Sequence, residues 1–239
     1  MPSGPRSIAA VSGIKKLSPD ELSALYDAAI WIGIEPDWLA AIISFETGGS
    51  FSPAQKSALS SAVGLIQFMP LTAKMLHTTS DALAAMNFVQ QLEYVKKYFS
   101  SVRGKLANLD DAYMQVFAPI GVGKDPEFVL YKAPSTNYTA NIGLDKSSPK
   151  KGYITKADAA GAVRARLAAA GDSRIQVPEG EIAPPIVPIA PPASLPWKEI
   201  SVYMAGFAAG TAVILYWPEI SSALRRSVKR SPLRSLTTR

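Results

Sequence analysis

Apolar residues recur at spacings of three and four through most of the chain. Leu22, Leu25, Tyr26, Ala29 and Ile30 mark one helical stripe, and Ser18-Pro19-Asp20-Glu21 before it has the form of a capping box with proline at the first helical position. A second stripe begins near Pro36 and carries Leu39, Ile42, Ile43 and Glu46. Phe88, Leu92, Val95 and Phe99 make a third, and Tyr113, Val116 and Phe117 a shorter fourth. Thr155-Lys156-Ala157-Asp158 is again a capping-box pattern and opens a helix through Val163 and Leu167. Alternation with a period of two is not sustained over a useful length, so the expected fold class is all-α.

The pattern breaks after Val177. Prolines at 178, 184, 185, 188, 191, 192 and 196 interrupt a polar and aliphatic segment that is expected to lie extended. At about 3.1 Å per residue such a spacer reaches on the order of 60 Å. Ile200 to Trp217 then runs uncharged for 18 residues between Trp197 and Trp217. That is near the lower limit for crossing a hydrocarbon core, and the tryptophans fall where an aromatic belt would sit. Gly206 and Gly210 offer a helix-pairing face and hence self-association. Residues 1–16 lack an apolar run behind a basic start, so no secretory signal is expected. The expected organisation is an N-terminal arm (1–16), a globular domain (17–174), a Pro-rich linker (175–199), a transmembrane helix (200–217) and a basic tail (218–239).

Charge sharpens this division. The net charge is +6, yet residues 1–199 hold 19 basic against 18 acidic side chains. The excess lies in the tail, where Arg225, Arg226, Lys229, Arg230, Arg234 and Arg239 face one acid, Glu219. Such a tail suits anionic lipid or nucleic acid, and beside a spanning helix it predicts a cytoplasm-facing end. With no cysteine, disulfides, thiolate metal sites and cysteine nucleophiles are excluded; the single histidine, His77, lies in a polar stretch.

The segment with most chemistry is Ile43-Ser44-Phe45-Glu46-Thr47-Gly48-Gly49-Ser50-Phe51, followed by Ser60-Ser61-Ala62-Val63-Gly64-Leu65-Ile66-Gln67-Phe68-Met69-Pro70. Glu46 closes an apolar helix face just before a glycine turn. Partial desolvation there disfavours its charged form, which is what a general acid needs near neutral pH.

Gly-Leu-Ile-Gln-Phe-Met-Pro resembles the Gly-Leu-Met-Gln-Ile-Met-Pro signature of the soluble lytic transglycosylase family, within the lysozyme-like superfamily. It follows a Glu-Thr-Gly similar to that family's Glu-Ser block, and the wording is closest to phage-encoded, membrane-anchored members. The resemblance covers about Leu17 to Leu167. It implies Glu46 as the catalytic glutamate, Gln67 as contact to the muramic N-acetyl group, and Ser60 or Ser61 as the serine before the glycine. Asp111-Ala112-Tyr113-Met114 supplies the tyrosine of a third block without its asparagine; Tyr113 is expected to meet Glu46 or the sugar. The partner implied is a peptidoglycan glycan strand, and no cofactor is expected. Residues 143–158 resemble an EF-hand loop, but ligand positions fall on Ser147, Pro149 and Lys151, with Asp158 at the closing position. No metal is expected there.

Glycosidases typically use two carboxylates, and none accompanies Glu46 in its motif. The resemblance implies one acid working with the substrate's own acetamide, closing a 1,6-anhydro ring without water. Two other readings remain open. One is a hydrolase on the same fold, with an acid such as Asp81 holding water; the other is an inactive structural or channel-forming membrane protein of a virion. Together the features suggest a phage virion membrane, or otherwise a bacterial inner membrane, with local wall opening for genome entry.

Overall fold

A computed structural model describes residues 6–58 and 60–179. The spanning helix and basic tail expected from the sequence, and the linker beyond Glu179, lie outside the described residues. Among the described residues no single helix is long and apolar enough to cross a membrane.

The body is mostly α-helical, with few strands. Its helices are α1 (Pro19–Ile32), α2 (Pro36–Glu46), α3 (Pro70–Met75), α4 (Ser80–Ala84), α5 (Phe88–Phe99), α6 (Leu109–Phe117), α7 (Thr136–Ala140) and α8 (Lys156–Ala168). Both capping boxes read from the sequence form: Ser18 with Glu21, and Thr155 with Asp158. Asn87 and Gln90 make a third, at the start of α5. Gly33 stops α1 with φ of 84°, and Pro36 begins α2 at a position where a missing N–H does no harm.

At the centre, α2 packs against α1, α8 and α6. Leu39, Ala40, Ala41, Ile42 and Ile43 are wholly shielded from solvent. A helix buried on this many sides is held rigidly, and its last turn delivers Glu46.

Two small antiparallel sheets depart from the all-α expectation. Strand β1 (Ser7–Ala9) pairs with β4 (Arg174–Gln176), and β2 (Val129–Lys132) pairs with β3 (Tyr153–Thr155). Each strand is three or four residues long, too short for a period of two to show. The same brevity hid α3, α4 and α7.

Residues 7–16 form part of the body where an arm was expected. Ile8, Val11 and Ile14 lie in the main core, and the Ala9 amide donates to Asp37 at 2.8 Å. At the other end Val177 is buried and its amide donates to the Arg6 carbonyl at 2.8 Å, so the packed body continues to that residue.

Candidate active site

Glu46 is the last residue of α2 because the chain turns sharply behind it. Thr47 leaves the helix, and Gly48 and Gly49 follow with φ of 59° and 78°. The Thr47 hydroxyl donates to the Ile43 carbonyl (2.6 Å) and accepts from the Phe51 amide (3.1 Å), tying the turn to the helix end. From the other side the N-terminal segment presses on it. Ser44 donates to the Ser12 carbonyl (2.6 Å), and Lys16 donates to the Gly49 carbonyl (2.7 Å). A Cβ on Gly13 would stand 1.9 Å from the Gly49 oxygen, so only glycine permits this approach.

The Glu46 side chain is half-buried, and burial pushes its pKa up to about 7, against a hydrogen bond from Tyr113 that pulls it down. Tyr113 comes from α6, far from Glu46 in sequence, and is itself buried. Burial, then the charge and hydrogen bond of Glu46, hold its phenol well above the usual range. Phe45 meets the Tyr113 ring edge-on (5.7 Å), Phe117 stacks on it (5.7 Å, 15° between planes), and Tyr131 of β2 meets Phe117 at 6.0 Å. Burial drives the Tyr131 phenol up to about 12. A carboxyl titrating near neutrality, with a phenol to orient it, can both give and take a proton at physiological pH.

Helix α6 is anchored by a buried ion pair. Lys156, at the start of α8, donates to Asp111, and the Gly123 amide donates to the same carboxylate at 2.8 Å. Burial alone would raise the Asp111 pKa, but Lys156 and the Gly123 amide hold it below the usual value. The pair fixes the turn of α6 that carries Tyr113.

Gln67 lies in the loop between α2 and α3 with φ of 52°. Its amide nitrogen donates to the carbonyls of Gly64 (2.9 Å) and Gln55 (3.2 Å), bracing the loop. Ser60 and Ser61 are exposed on the preceding turn, where the Ser60 hydroxyl accepts from the Ala62 amide. Among the described residues no hydrogen bond joins Gln67, Ser60 or Ser61 to Glu46; of the expected set Tyr113 alone is hydrogen-bonded to it. Asp81 is exposed in the first turn of α4.

The loop is clamped by a residue that sequence reading missed. Gln91 of α5 is fully shielded; its oxygen accepts from the Leu65 amide (2.6 Å) while its nitrogen donates to the carbonyls of Pro53 (3.0 Å) and Leu83 (2.7 Å). The available signal was a polar residue inside the Phe88–Phe99 apolar stripe. Gly64 has φ of 87°, and a Cβ there would lie 2.3 Å from the Gln91 oxygen. Gly64→Ala is therefore expected to lose about 2–4 kcal/mol, from left-handed strain and the disrupted clamp, in urea unfolding.

In the loop resembling an EF-hand, Asp158 accepts from Thr155 and from Lys151, the latter at 2.6 Å, closing the α8 cap. Asp145 is buried and accepts from the Tyr138 hydroxyl (2.9 Å) and the Gly152 amide (3.1 Å). Both carboxylates serve the local fold. Among the described residues no group of three or more acidic or histidine side chains is placed to hold a metal ion.

No family model matches this chain, and no curated protein is similar to it in sequence.

Proposed function

We propose that this chain is a peptidoglycan lytic transglycosylase that cleaves the MurNAc–GlcNAc β-1,4 bond, with Glu46 as acid and then base. The observation that carries this is the Glu46 carboxyl, half-buried at the end of a rigid helix, titrating near 7 and bonded to Tyr113. The Gly64–Pro70 motif supplies the substrate class.

In this reading protonated Glu46 gives its proton to the glycosidic oxygen as the C1–O bond breaks, and the GlcNAc hydroxyl leaves. The muramic acetamide stabilises the electron-poor C1. The C6 hydroxyl then bonds to C1 and its proton returns to the Glu46 carboxylate, so the 1,6-anhydro ring forms and the enzyme is regenerated. Gln67 would contact the acetamide through its side-chain oxygen or after exchanging one of its loop bonds. Ser60 and Ser61 would line the approach to the same sugar. Residues 200–217 are proposed to span a lipid membrane, of a phage virion or a bacterial inner membrane, with the proline-rich segment as spacer. The tail would meet anionic lipid or nucleic acid, and the cleavage would serve local wall opening during genome entry.

Mass spectrometry of muropeptides released from purified walls tests the reaction. Anhydro ends are expected; reducing ends would replace this reading with a hydrolase. Tyr113→Phe removes the bond that lowers the Glu46 pKa, so the alkaline limb of the rate profile is expected to move up by about one pH unit. A rate-against-pH series on wild type and variant checks it, and an unmoved limb would show that Tyr113 does not act on the acid.

A further inference from the structure

The end of α6 has an unusual repair. In an unbroken helix the Gln115 carbonyl would accept from the amide of residue 119, but residue 119 is proline and has no N–H. Proline also drives the residue before it out of the helix, and Ala118 has φ of −155° and ψ of 86°. The Gln115 carbonyl, in a buried residue, is left needing a donor. Tyr98 of α5 provides it, its hydroxyl donating at 2.7 Å.

Tyr98 reaches further than this bond. Its ring meets Phe68 edge-on at 6.2 Å, the residue next to Gln67, and Phe99 at 5.6 Å. It also lies within the field of Glu46, whose charge acts with burial to raise the Tyr98 phenol. One side chain thus touches the helix bearing Tyr113 and the loop bearing Gln67, and feels the charge of Glu46.

We infer that Tyr98 is a positioning residue for the candidate acid: by capping the end of α6 it sets where the Tyr113 hydroxyl meets Glu46. It makes no proton transfer itself, since its own proton is committed to Gln115. The titratable group acting on Glu46 is Tyr113 of α6; Glu46 in turn acts on Tyr98 of α5, and Tyr131 of β2 acts on Tyr113. The inference deepens the proposed function and rests on Glu46 being its acid, yet its test reads the carboxyl group directly.

The test is carbon-13 NMR of full-length, glutamate-labelled protein in detergent micelles, following the Glu46 carboxyl from acid to alkaline pH, with Glu46→Gln as the blank. Tyr98→Phe keeps the ring and removes only the donor. Its Glu46 midpoint is expected to rise by about half a pH unit, against about one unit for Tyr113→Phe. Because both act through the same bond, the double variant is expected to go no higher than Tyr113→Phe alone. A midpoint unmoved by Tyr98→Phe, or fully additive shifts, would overturn the inference. Phe68→Leu disturbs the ring's packing without touching the bond; it is expected to lower the melting temperature and leave the midpoint alone. A shift there as large as that of Tyr98→Phe would assign the effect to packing and also overturn it. Midpoints that move as expected in a protein that releases no muropeptides would leave the positioning role standing and defeat the transglycosylase reading.

Discussion

Glu46→Gln is expected to abolish wall cleavage and, above pH 7, to make the protein harder to unfold. The first effect follows from removing the only carboxyl the proposed chemistry uses. General acid–base catalysis contributes about 10²–10⁴-fold, and here one group serves both half-reactions, so a loss of about 10³-fold or more is expected in muropeptide release. The second effect has the opposite sign. Folding raises the Glu46 pKa from 4.5 to about 7, so the folded state binds this proton more tightly than the unfolded state. The group therefore imposes no penalty below pH 4.5, an increasing one between 4.5 and 7, and the full penalty above 7. At about 1.4 kcal/mol per pH unit, and discounting for partial exposure, the penalty is about 2–3 kcal/mol. Glutamine carries no charge and can still accept from Tyr113, so it escapes that penalty. Thermal unfolding at pH 4 and pH 8 checks this: a gain at the alkaline pH alone is expected. Equal stability of both proteins at pH 8 would mean that the carboxyl is well solvated, and the argument for an acid poised near neutrality would fail.

Lys156→Met is expected to be among the most damaging substitutions away from Glu46. It leaves the buried Asp111 carboxylate with the Gly123 amide but without its cation. Removing one partner of a buried pair costs about 3–5 kcal/mol, whereas replacing both with apolar residues of similar volume is much milder. Asp111→Leu combined with Lys156→Met is therefore expected to be more stable than Lys156→Met alone. Denaturant unfolding of the set measures the coupling, and a double variant as unstable as the sum of the singles would show that the two residues act independently. Because α6 also carries Tyr113, the single variant should shift the rate profile in the same direction as Tyr113→Phe.

The long helices were legible because their apolar stripes and caps act locally: Ser18 with Glu21 and Thr155 with Asp158 need no distant partner. Glu46 was legible too, through its place at the end of an apolar face and the motif around it. What the sequence did not disclose depends on partners far along the chain. Tyr98 gains its role from a proline in another element, and Gln91 from two points of the α2–α3 loop and one of α4 that converge on it. The N-terminal segment looked like an arm because Ile8, Val11 and Ile14 carry too little periodicity to declare a core position. Ile8 is held in place by pairing with Ile175 of β4, which lies at the opposite end of the described chain.

That last pairing has a mechanical consequence. Going back from Val177, the polypeptide is held first by the Val177–Arg6 bond and then by the β1–β4 ladder, in which Gln176, Ile175 and Arg174 meet Ser7, Ile8 and Ala9 in turn. Behind the ladder, the Ser12–Ser44 bond and the Gly13–Gly49 approach join the turn that follows β1 to the last turns of α2 and to the bend beyond Glu46. A pull on the C-terminal side therefore acts on β4, and stripping β4 from β1 would take away a support of the segment that braces the end of α2.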